Sequence, residues 1–249
     1  PDFDTKEMMV GFRAFRDRVP EDRVARWREW LGGIVPGETY VMSHNWGLYA
    51  IVGEYERYLA GLGDPREWVE AQLAAQFPYF TAYGMYKDPN DPATYDLTVR
   101  QNLSLLLHLG YAGSHRGWID EILRRGGLTM LFFLSSLWQA PFGGRSNQHQ
   151  FMEAMIACIC EYEARRYARL GKPRLAGAFK RTGRMAAAAT LRWLQETPFR
   201  HIKNGFPPET THGIDGGHYS VYALLAANLF GVAYGLADES IPESAAPAD

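Results

Sequence analysis

The sequence is poor in cysteine, in net charge and in long apolar runs, and each absence excludes a class of protein. Only Cys158 and Cys160 are present, and at positions i and i+2 of a helical pattern their side chains do not face each other, so we expect no disulfide. The 26 Lys and Arg nearly balance 28 Asp and Glu, so no overall basic field attracts nucleic acid or anionic lipid. The most apolar run, 128–137, is far shorter than the roughly 20 residues that cross a bilayer, so a membrane is not an expected partner.

Several sequence motifs are also missing. The first residues, PDFDTKEMMVGF, lack the basic start and apolar core of a secretory signal, so cytoplasm and periplasm both stay open as locations. No GxxxxGKS/T phosphate loop and no GxSxG elbow occurs, which argues against nucleotide hydrolysis and α/β-hydrolase chemistry. Without an HExxH motif or a cysteine-rich spacing, we expect neither a required metal nor another cofactor.

Aromatic residues are the surplus of this sequence. Trp, Tyr and Phe make up 14% of the chain, which is more than core filling usually requires. Carbohydrate sites use such rings, because the apolar faces of sugars stack on them while polar groups bind the hydroxyls. We therefore expect an oligosaccharide or polysaccharide as substrate; nothing in the sequence indicates the oligomeric state.

Apolar positions recur at helical spacing along almost the whole chain, and no sustained run alternates with period two. Glycine, proline and aspartate separate most of the helical segments, as in GLGDP at 61–65. Two long connections, 79–95 and 197–217, are rich in turn residues, and loops of that length are usually functional. The pattern predicts about ten helices at roughly 6–18, 21–33, 44–61, 65–77, 96–110, 116–125, 127–138, 147–170, 173–196 and 217–236.

Successive helical hairpins bury their apolar faces by packing side by side, either in an open solenoid or in a closed α/α toroid. The sequence contains no short repeat of the kind that favours a solenoid, whereas long aromatic-rich loops beside helix starts favour a toroid with a cleft at one end. We therefore predict an all-α protein with one α/α-toroid (barrel) domain over residues 1–249. Ten helices are fewer than such toroids usually have, so a complete and an incomplete toroid both stay open.

The densest group of polar residues is the segment GGRSNQHQFMEA, which opens a long predicted helix. Ser146 or Asn147 is suited to cap that helix, and the spacing of four places His149 and Glu153 on one helix face. Arg145 is suited to hold a carboxylate, Asn147 to bind sugar oxygens, and His149 or Glu153 to move protons. The structural alternative is a helix cap with a buried histidine and a surface glutamate.

A second polar group, HGIDGGHY, leads into the last predicted helix. Asp215 has the chemistry of a general acid or base, with His212 or His218 as its partner and Tyr219 or Tyr222 as a hydroxyl donor. The structural alternative is a solvated loop in which Asp215 makes a turn hydrogen bond and the histidines are exposed.

Two further groups interleave aromatic and polar residues at helix starts. In the first, His44, Asn45 and Trp46 begin a helix that also carries Glu54. The second contains Tyr86 and Asp96, with Arg100 one turn later. Both are suited to stack and bind a sugar, although capping, core packing and loop packing are structural alternatives for the same residues.

The strings GGRSNQHQFMEA and DGGHYSVYALLAANL resemble the active-site helices of α/α-toroid carbohydrate enzymes, over residues 141–236. One resemblance is to β-glucuronidase-type glycoside hydrolases, in which a GRS-type and an SVY-type segment each open a helix. The other is to heparinase II/III-like and alginate-type polysaccharide lyases, in which Asn and His at a helix start face a uronate and a Tyr acts in elimination. Both imply an enzyme that degrades uronic-acid-containing glycans.

The sequence leaves three candidate functions open. Glycoside hydrolysis needs two carboxyl groups that flank the bond, and we expect Glu153 and Asp215, with Glu54 and Asp96 in reserve. β-Elimination needs Arg145, Asn147 or His149 to neutralise the uronate while a Tyr or His takes the proton. A non-catalytic helical binding scaffold would instead scatter these polar groups over its surface.

Overall fold

The protein is described by a computed structural model over residues 2–36, 44–89, 91, 93–141, 146, 148–195, 203 and 220–245. Within these residues the secondary structure is helical, with no β-strand, and an isolated β-bridge joins Phe80 and Tyr86. The prediction of an all-α protein is confirmed. The helices are α1 (Asp2–Phe15), α2 (Glu21–Gly32), α3 (Asn45–Leu59), α4 (Arg66–Gln76), α5 (Ala93–His108), α6 (Arg116–Phe133), α7 (Phe151–Arg169), α8 (Pro173–Leu194) and α9 (Ser220–Leu236), with a short 3₁₀ turn at Phe77–Tyr79.

The prediction of separate helices at 116–125 and 127–138 is wrong, because α6 continues through two glycines. Gly126 lies against the guanidinium of Arg100, where an added Cβ would come within 2.0 Å of Nη1. Gly127 faces Glu163 of α7, where an added Cβ would lie 3.3 Å from Cγ. The glycines therefore permit close approach of side chains from α5 and α7, and they do not end the helix.

The odd-numbered helices run parallel and contact one another in series from α1 through α3, α5 and α7 to α9. In α7 and α9, Cys158 Sγ donates to the Leu229 carbonyl at 2.9 Å and Arg165 Nη1 donates to the Leu236 carbonyl at 3.4 Å, each across 71 positions. The constant separation fixes the parallel register. The even-numbered helices α2, α4, α6 and α8 return the chain, and α4, α6 and α8 pack against the odd-numbered ones.

Polar side chains from several odd-numbered helices meet in the interior. The fully buried Lys6 of α1 reaches Gln101 Oε1 of α5 at 3.4 Å, and its Nζ lies 4.7 Å from the centre of the Tyr49 ring of α3. Asn228 of α9 donates to the carboxylate of Glu7, also on α1. Helix α1 therefore contacts α9 as well as α3.

Helix α7 is the most enclosed element and carries both cysteines. It packs against α5, α6, α8 and α9, and nearly all of its side chains are buried. Cys158 and Cys160 are free thiols, as expected, and burial raises the pKa of Cys158 to about 12. Among the helices of the described ranges, none is both long and apolar enough to cross a membrane.

Candidate functional site

The polar groups that the sequence singled out precede or begin odd-numbered helices. Because those helices are parallel, the starts of α3, α5, α7 and α9 lie at the same end of the bundle. The end of α6 lies there too, since α6 is antiparallel to α7, with Asp120 near Arg166 and Gly127 near Glu163. We call this part of the molecule the helix-start end.

At the start of α3, His44 and Asn45 are held by the segment that follows α4. The backbone N–H of Asn45 and its Nδ2 both donate to Asp88 Oδ1, at 3.0 and 2.9 Å. The His44 ring meets the edge of the Tyr79 ring, with centroids 5.0 Å apart. Trp46, by contrast, is 41% exposed at the surface. Of the three predicted binding residues here, Trp46 is the one that presents a wide apolar face to solvent.

Tyr86 and Asp96 are brought together, but inside the protein. The backbone N–H of Tyr86 donates to Asp96 Oδ1 at 2.7 Å, and the Tyr86 hydroxyl donates to Gln76 Oε1 at 2.6 Å. Burial, with the nearby charge of Asp88, raises the pKa of Tyr86 well above its usual value. Both side chains are buried, so their contacts fix the turn 80–86 against α5.

Arg100 is the cation of this arrangement. Its Nη2 donates to both oxygens of Asp96, at 2.7 and 3.0 Å, and to the Gly84 carbonyl at 2.8 Å. The side chains of Asp96 and Arg100 are 4% and 1% exposed. The two side chains form a buried i,i+4 ion pair, and it connects α5 to the turn at 80–86.

The start of α5 is bound to the segment before α7. The Tyr95 hydroxyl and Ser146 Oγ are 2.7 Å apart, and Thr94 Oγ1 donates to the Ser146 carbonyl at 3.1 Å. Thr94 also contacts Met152 Sδ of α7 at 3.4 Å. Tyr95 therefore lies beside the GGRSNQHQ segment.

His149 and Glu153 do not share a helix face, contrary to the expectation from their spacing. Helix α7 begins at Phe151, and Gln148 has a positive φ of 67°, so His149 lies in the turn before the helix. Its ring stacks on Phe151 at 5.1 Å between centroids and lies 4.7 Å from the ring of Tyr222 on α9. Histidine and tyrosine, both capable of proton transfer, are thus neighbours.

Glu153 is fully buried and holds two other segments. Its Oε1 accepts a hydrogen bond from the Ala140 N–H at 2.9 Å and another from Lys203 Nζ. The Lys203 N–H donates to the Gln148 carbonyl at 2.7 Å. Burial lowers the pKa of Lys203, against the opposing effect of the Glu153 carboxylate. These two bonds occupy Oε1. The role of Glu153 as a catalytic acid stays a prediction.

Lys203 was not among the candidates from the sequence, and Asp88 and Tyr95 belonged to the singled-out segment 83–96 without a role of their own. A lone lysine in a polar loop gives no periodic signal, and its partner Glu153 is 50 positions away. Tyr95 was the most accessible of the three to sequence reasoning, because it adjoins Asp96 within an aromatic-rich segment.

Backbone strain is concentrated at the helix-start end. In the part of the chain that the structure describes, five non-glycine residues have a positive φ, and all five lie in segments that join the helices there. Such conformations are costly and cluster at functional sites. They are His44 (92°), Asp91 (47°), Trp138 (60°), Ser146 (59°) and Gln148 (67°).

Six of the predicted site residues lie outside the described residues. Their roles stay predictions, as do those of the candidates described above. They are Arg145, Asn147, His212, Asp215, His218 and Tyr219. Among the residues that are described, no group of three or more His, Cys, Asp or Glu side chains is arranged to hold a metal ion.

Comparison with known proteins adds no relative. No protein-family model matches the sequence, and the searches of the curated proteins and of the solved structures also return no match.

Proposed function

We propose that this protein is a glycan-degrading enzyme that acts on uronic-acid-containing oligosaccharides at the helix-start end. The observation that carries the proposal is the concentration of strained backbone there, beside His44, Trp46, Tyr95, His149 and Tyr222. Strain of this kind persists where a functional geometry is maintained. Exposed and half-buried aromatic side chains at the same end are suited to the apolar faces of sugars.

The anionic substrate is supported by the parallel helices. Four helix N-termini, those of α3, α5, α7 and α9, lie at this end. Each carries a partial positive charge, so together they favour a carboxylate over a neutral group. Arg145, in the segment before α7, would add a full positive charge.

We also propose that the helices form an α/α toroid. Helices α1, α3, α5, α7 and α9 contact one another in series, and the Asn228–Glu7 hydrogen bond connects the last of them to the first. Inner helices of a toroid make such contacts, with the returning helices outside. The open solenoid offers no reason for α1 to contact α9.

The occupied carboxylates favour β-elimination over hydrolysis. Hydrolysis needs two carboxyl groups beside the bond, but the three candidates that the structure describes are paired with cations. Glu54 is bound to Arg57 at 2.6 Å, Asp96 to Arg100 and Glu153 to Lys203, which leaves Asp215 as the candidate outside the described residues. Elimination needs no such pair. Its proton-transfer groups, a histidine and tyrosines, are supported by the neighbouring His149 and Tyr222.

The elimination step assigns a role to each group. Arg145 and Asn147 bind the uronate carboxylate, which makes the C5 proton more acidic. His149 or a tyrosinate removes that proton, the electron pair forms the C4–C5 double bond, and the C4–O bond breaks. A tyrosine hydroxyl protonates the leaving oxygen.

One assay tests the proposal and separates the two reactions. Uronate-containing oligosaccharides are incubated with the protein, and both new reducing ends and the ultraviolet absorbance of an unsaturated uronate are measured. We expect both signals, and we expect His149→Gln to abolish them while His108→Gln, at the far end of α5, retains them. Reducing ends without absorbance would assign hydrolysis. Neither signal on any uronate glycan would overturn the proposal and favour the binding scaffold.

Arg145 gives a test of the substrate charge. We expect Arg145→Ala to lower kcat/KM on uronate glycans by about 2 to 4 kcal/mol, the effect of a lost charge-assisted contact. The value of kcat/KM on neutral glycans should change little. Equal losses on neutral and acidic glycans would mean that Arg145 maintains the loop and does not bind the uronate.

A further inference from the structure

A cavity of about 270 Å³ lies at the opposite end of the bundle, where α3 and α5 end and α4 begins. It is separate from the helix-start end and from every residue assigned to catalysis above. Its lining combines three tyrosines, two charged side chains and a short glycine-containing turn, namely Tyr55, Tyr58, Arg66, Val69, Glu70, Tyr111, Ala112 and Gly113. We call it the tyrosine cavity.

The three tyrosine rings are not parallel. Tyr55 and Tyr58 have centroids 5.9 Å apart at an interplanar angle of 41°, and Tyr55 and Tyr111 are 5.8 Å apart at 75°. A flat aromatic ligand can stack face to face on only one of these rings at a time. A chair-shaped sugar instead presents C–H groups in several directions, which suits walls at such angles.

Glu70 is held in place at the edge of the cavity. Its Oε1 accepts the Tyr111 hydroxyl at 2.5 Å, and its Oε2 accepts Ser114 Oγ at 2.5 Å and the Ser114 N–H at 3.2 Å. Oε2 also lies 3.5 Å from His115 Nε2, whereas Oε1 accepts one bond and keeps a second lone pair for a ligand hydroxyl. The Glu70 carboxylate can lie this close to the backbone because residue 113 is a glycine; an added Cβ there would come within 1.9 Å of Glu70 Oε1.

Arg66 supplies donors on the other side. Its guanidinium lies 5.1 Å from the Tyr58 ring centre and is bound to Asp64 at 2.7 and 2.6 Å. A cation is therefore already placed over one of the three rings, which argues against an ammonium ligand. Asp64 and Glu70 also supply two negative charges beside this one cation, so no positive potential favours an anion.

From this lining we infer that the tyrosine cavity is a second carbohydrate site, and that it binds a neutral pyranose. The rings contact the apolar faces of the sugar, Glu70 accepts from its hydroxyls and Arg66 donates to them. The site does not depend on the catalytic proposal, because its residues lie at the other end of the helices.

Binding of neutral hexasaccharides tests the inference. Cellohexaose, maltohexaose, mannohexaose and xylohexaose are titrated into the full chain while the tyrosine ring signals are followed by NMR. Oligoglucuronate serves as the charged comparison, and the His149→Gln variant prevents its turnover. We expect at least one neutral hexasaccharide to bind with a dissociation constant near or below about 1 mM, with Tyr58 and Tyr111 signals shifted.

Matched variants locate the binding. We expect Tyr58→Ala to raise the dissociation constant about tenfold and Glu70→Gln to raise it several-fold. Tyr83 is an exposed tyrosine at the helix-start end, and Tyr83→Ala should leave the dissociation constant unchanged. Circular dichroism of each variant reports whether the fold is retained. The inference is overturned if no neutral hexasaccharide binds at about 10 mM, if oligoglucuronate binds the cavity as well as the neutral sugars do, or if a folded Tyr58→Ala variant binds normally.

Discussion

The two ends of the helical bundle use carboxylates in different ways. At the helix-start end, Asp96 and Glu153 are buried and bound to Arg100 and Lys203, so each carboxylate connects a loop to a helix. At the opposite end, Glu70 accepts from hydroxyl and amide donors, lies 3.5 Å from His115 Nε2 at the surface, and borders a cavity. We infer from this difference that a carboxylate paired with a buried cation maintains the shape of a site, whereas a carboxylate beside open space is available to a ligand.

Removing the Asp96 carboxylate should have the largest effect. Asp96→Ala leaves the Arg100 guanidinium buried without its counter-ion, and we expect a loss of about 3 to 5 kcal/mol in the free energy of unfolding. Denaturant unfolding measures it. The control is Asp64→Ala, whose partner Arg66 is 62% exposed, for which we expect a loss under about 1 kcal/mol. Similar losses for the two variants would remove the distinction between the buried and exposed pairs.

Lys203→Met should rank second, at about 2 to 4 kcal/mol, because Glu153 would keep only the Ala140 amide as a donor. Changing both partners, in Glu153→Gln with Lys203→Met, should recover part of the stability, since no charge is then left unpaired. Activity of the double variant separates two roles. Retained turnover would make Glu153 structural, and loss of turnover in a stable double variant would make it catalytic.

The pH dependence of stability should reveal Glu56, a buried carboxylate whose ion-pair partner Arg13 is exposed. Burial raises its pKa to about 7, although Arg13, 42% exposed at 3.3 Å, and Lys6 oppose the shift. A folded pKa above the unfolded value of 4.5 means that protonation stabilises the fold, so stability falls as pH rises from about 4.5 to about 7.

We expect Glu56→Gln to reduce that fall by about 1 to 3 kcal/mol in denaturant unfolding across the pH range. Part of the fall should remain, because burial also raises the pKa of Glu163 to about 7. Glu67→Gln, at an exposed position of α4, is the control and should leave the curve unchanged. A Glu56→Gln curve parallel to that of the wild type would contradict the assignment.

Gly126→Ala should have the smallest effect of the set, about 1 to 2 kcal/mol, because the guanidinium of Arg100 must move away from the new Cβ. Gly231→Ala is the matched control in a helix, since open space surrounds that position. Alanine has the higher helix propensity, so this control should gain up to about 1 kcal/mol. Thermal unfolding distinguishes the two, and a gain at both positions would show that Arg100 is free to move.

Much of the fold follows from the sequence because helices are specified locally. The 3.6-residue period of apolar positions and the punctuation by proline and glycine predicted the all-α class and the beginnings of α2, α4 and α8 within a residue or two. The glycine pair in α6 led to the wrong prediction of a helix end, because these glycines accommodate side chains of other helices. The local sequence pattern does not indicate that Arg100 lies against Gly126.

The candidate site was predictable in its composition more than in its geometry. The polar segments before α3, α5 and α7 stood out as sequences, and the structure brings their described parts to one end of the bundle. The bonds within them were not predictable, because Glu153 with Lys203 and Tyr95 with Ser146 are each separated by about 50 positions. Helix α7 also begins later than predicted, after the positive φ of Gln148, so His149 lies outside the helix.

The hydrogen bond between Asn228 and Glu7 has a consequence for the order of folding. Its two residues are 221 positions apart, so chain diffusion alone rarely brings them together, whereas neighbouring helices meet through short connections. We therefore expect the helical pairs to assemble early and the docking of α9 on α1 to complete the process. A chain interrupted at that stage would expose α9, which has no charged residue, and would be prone to aggregate.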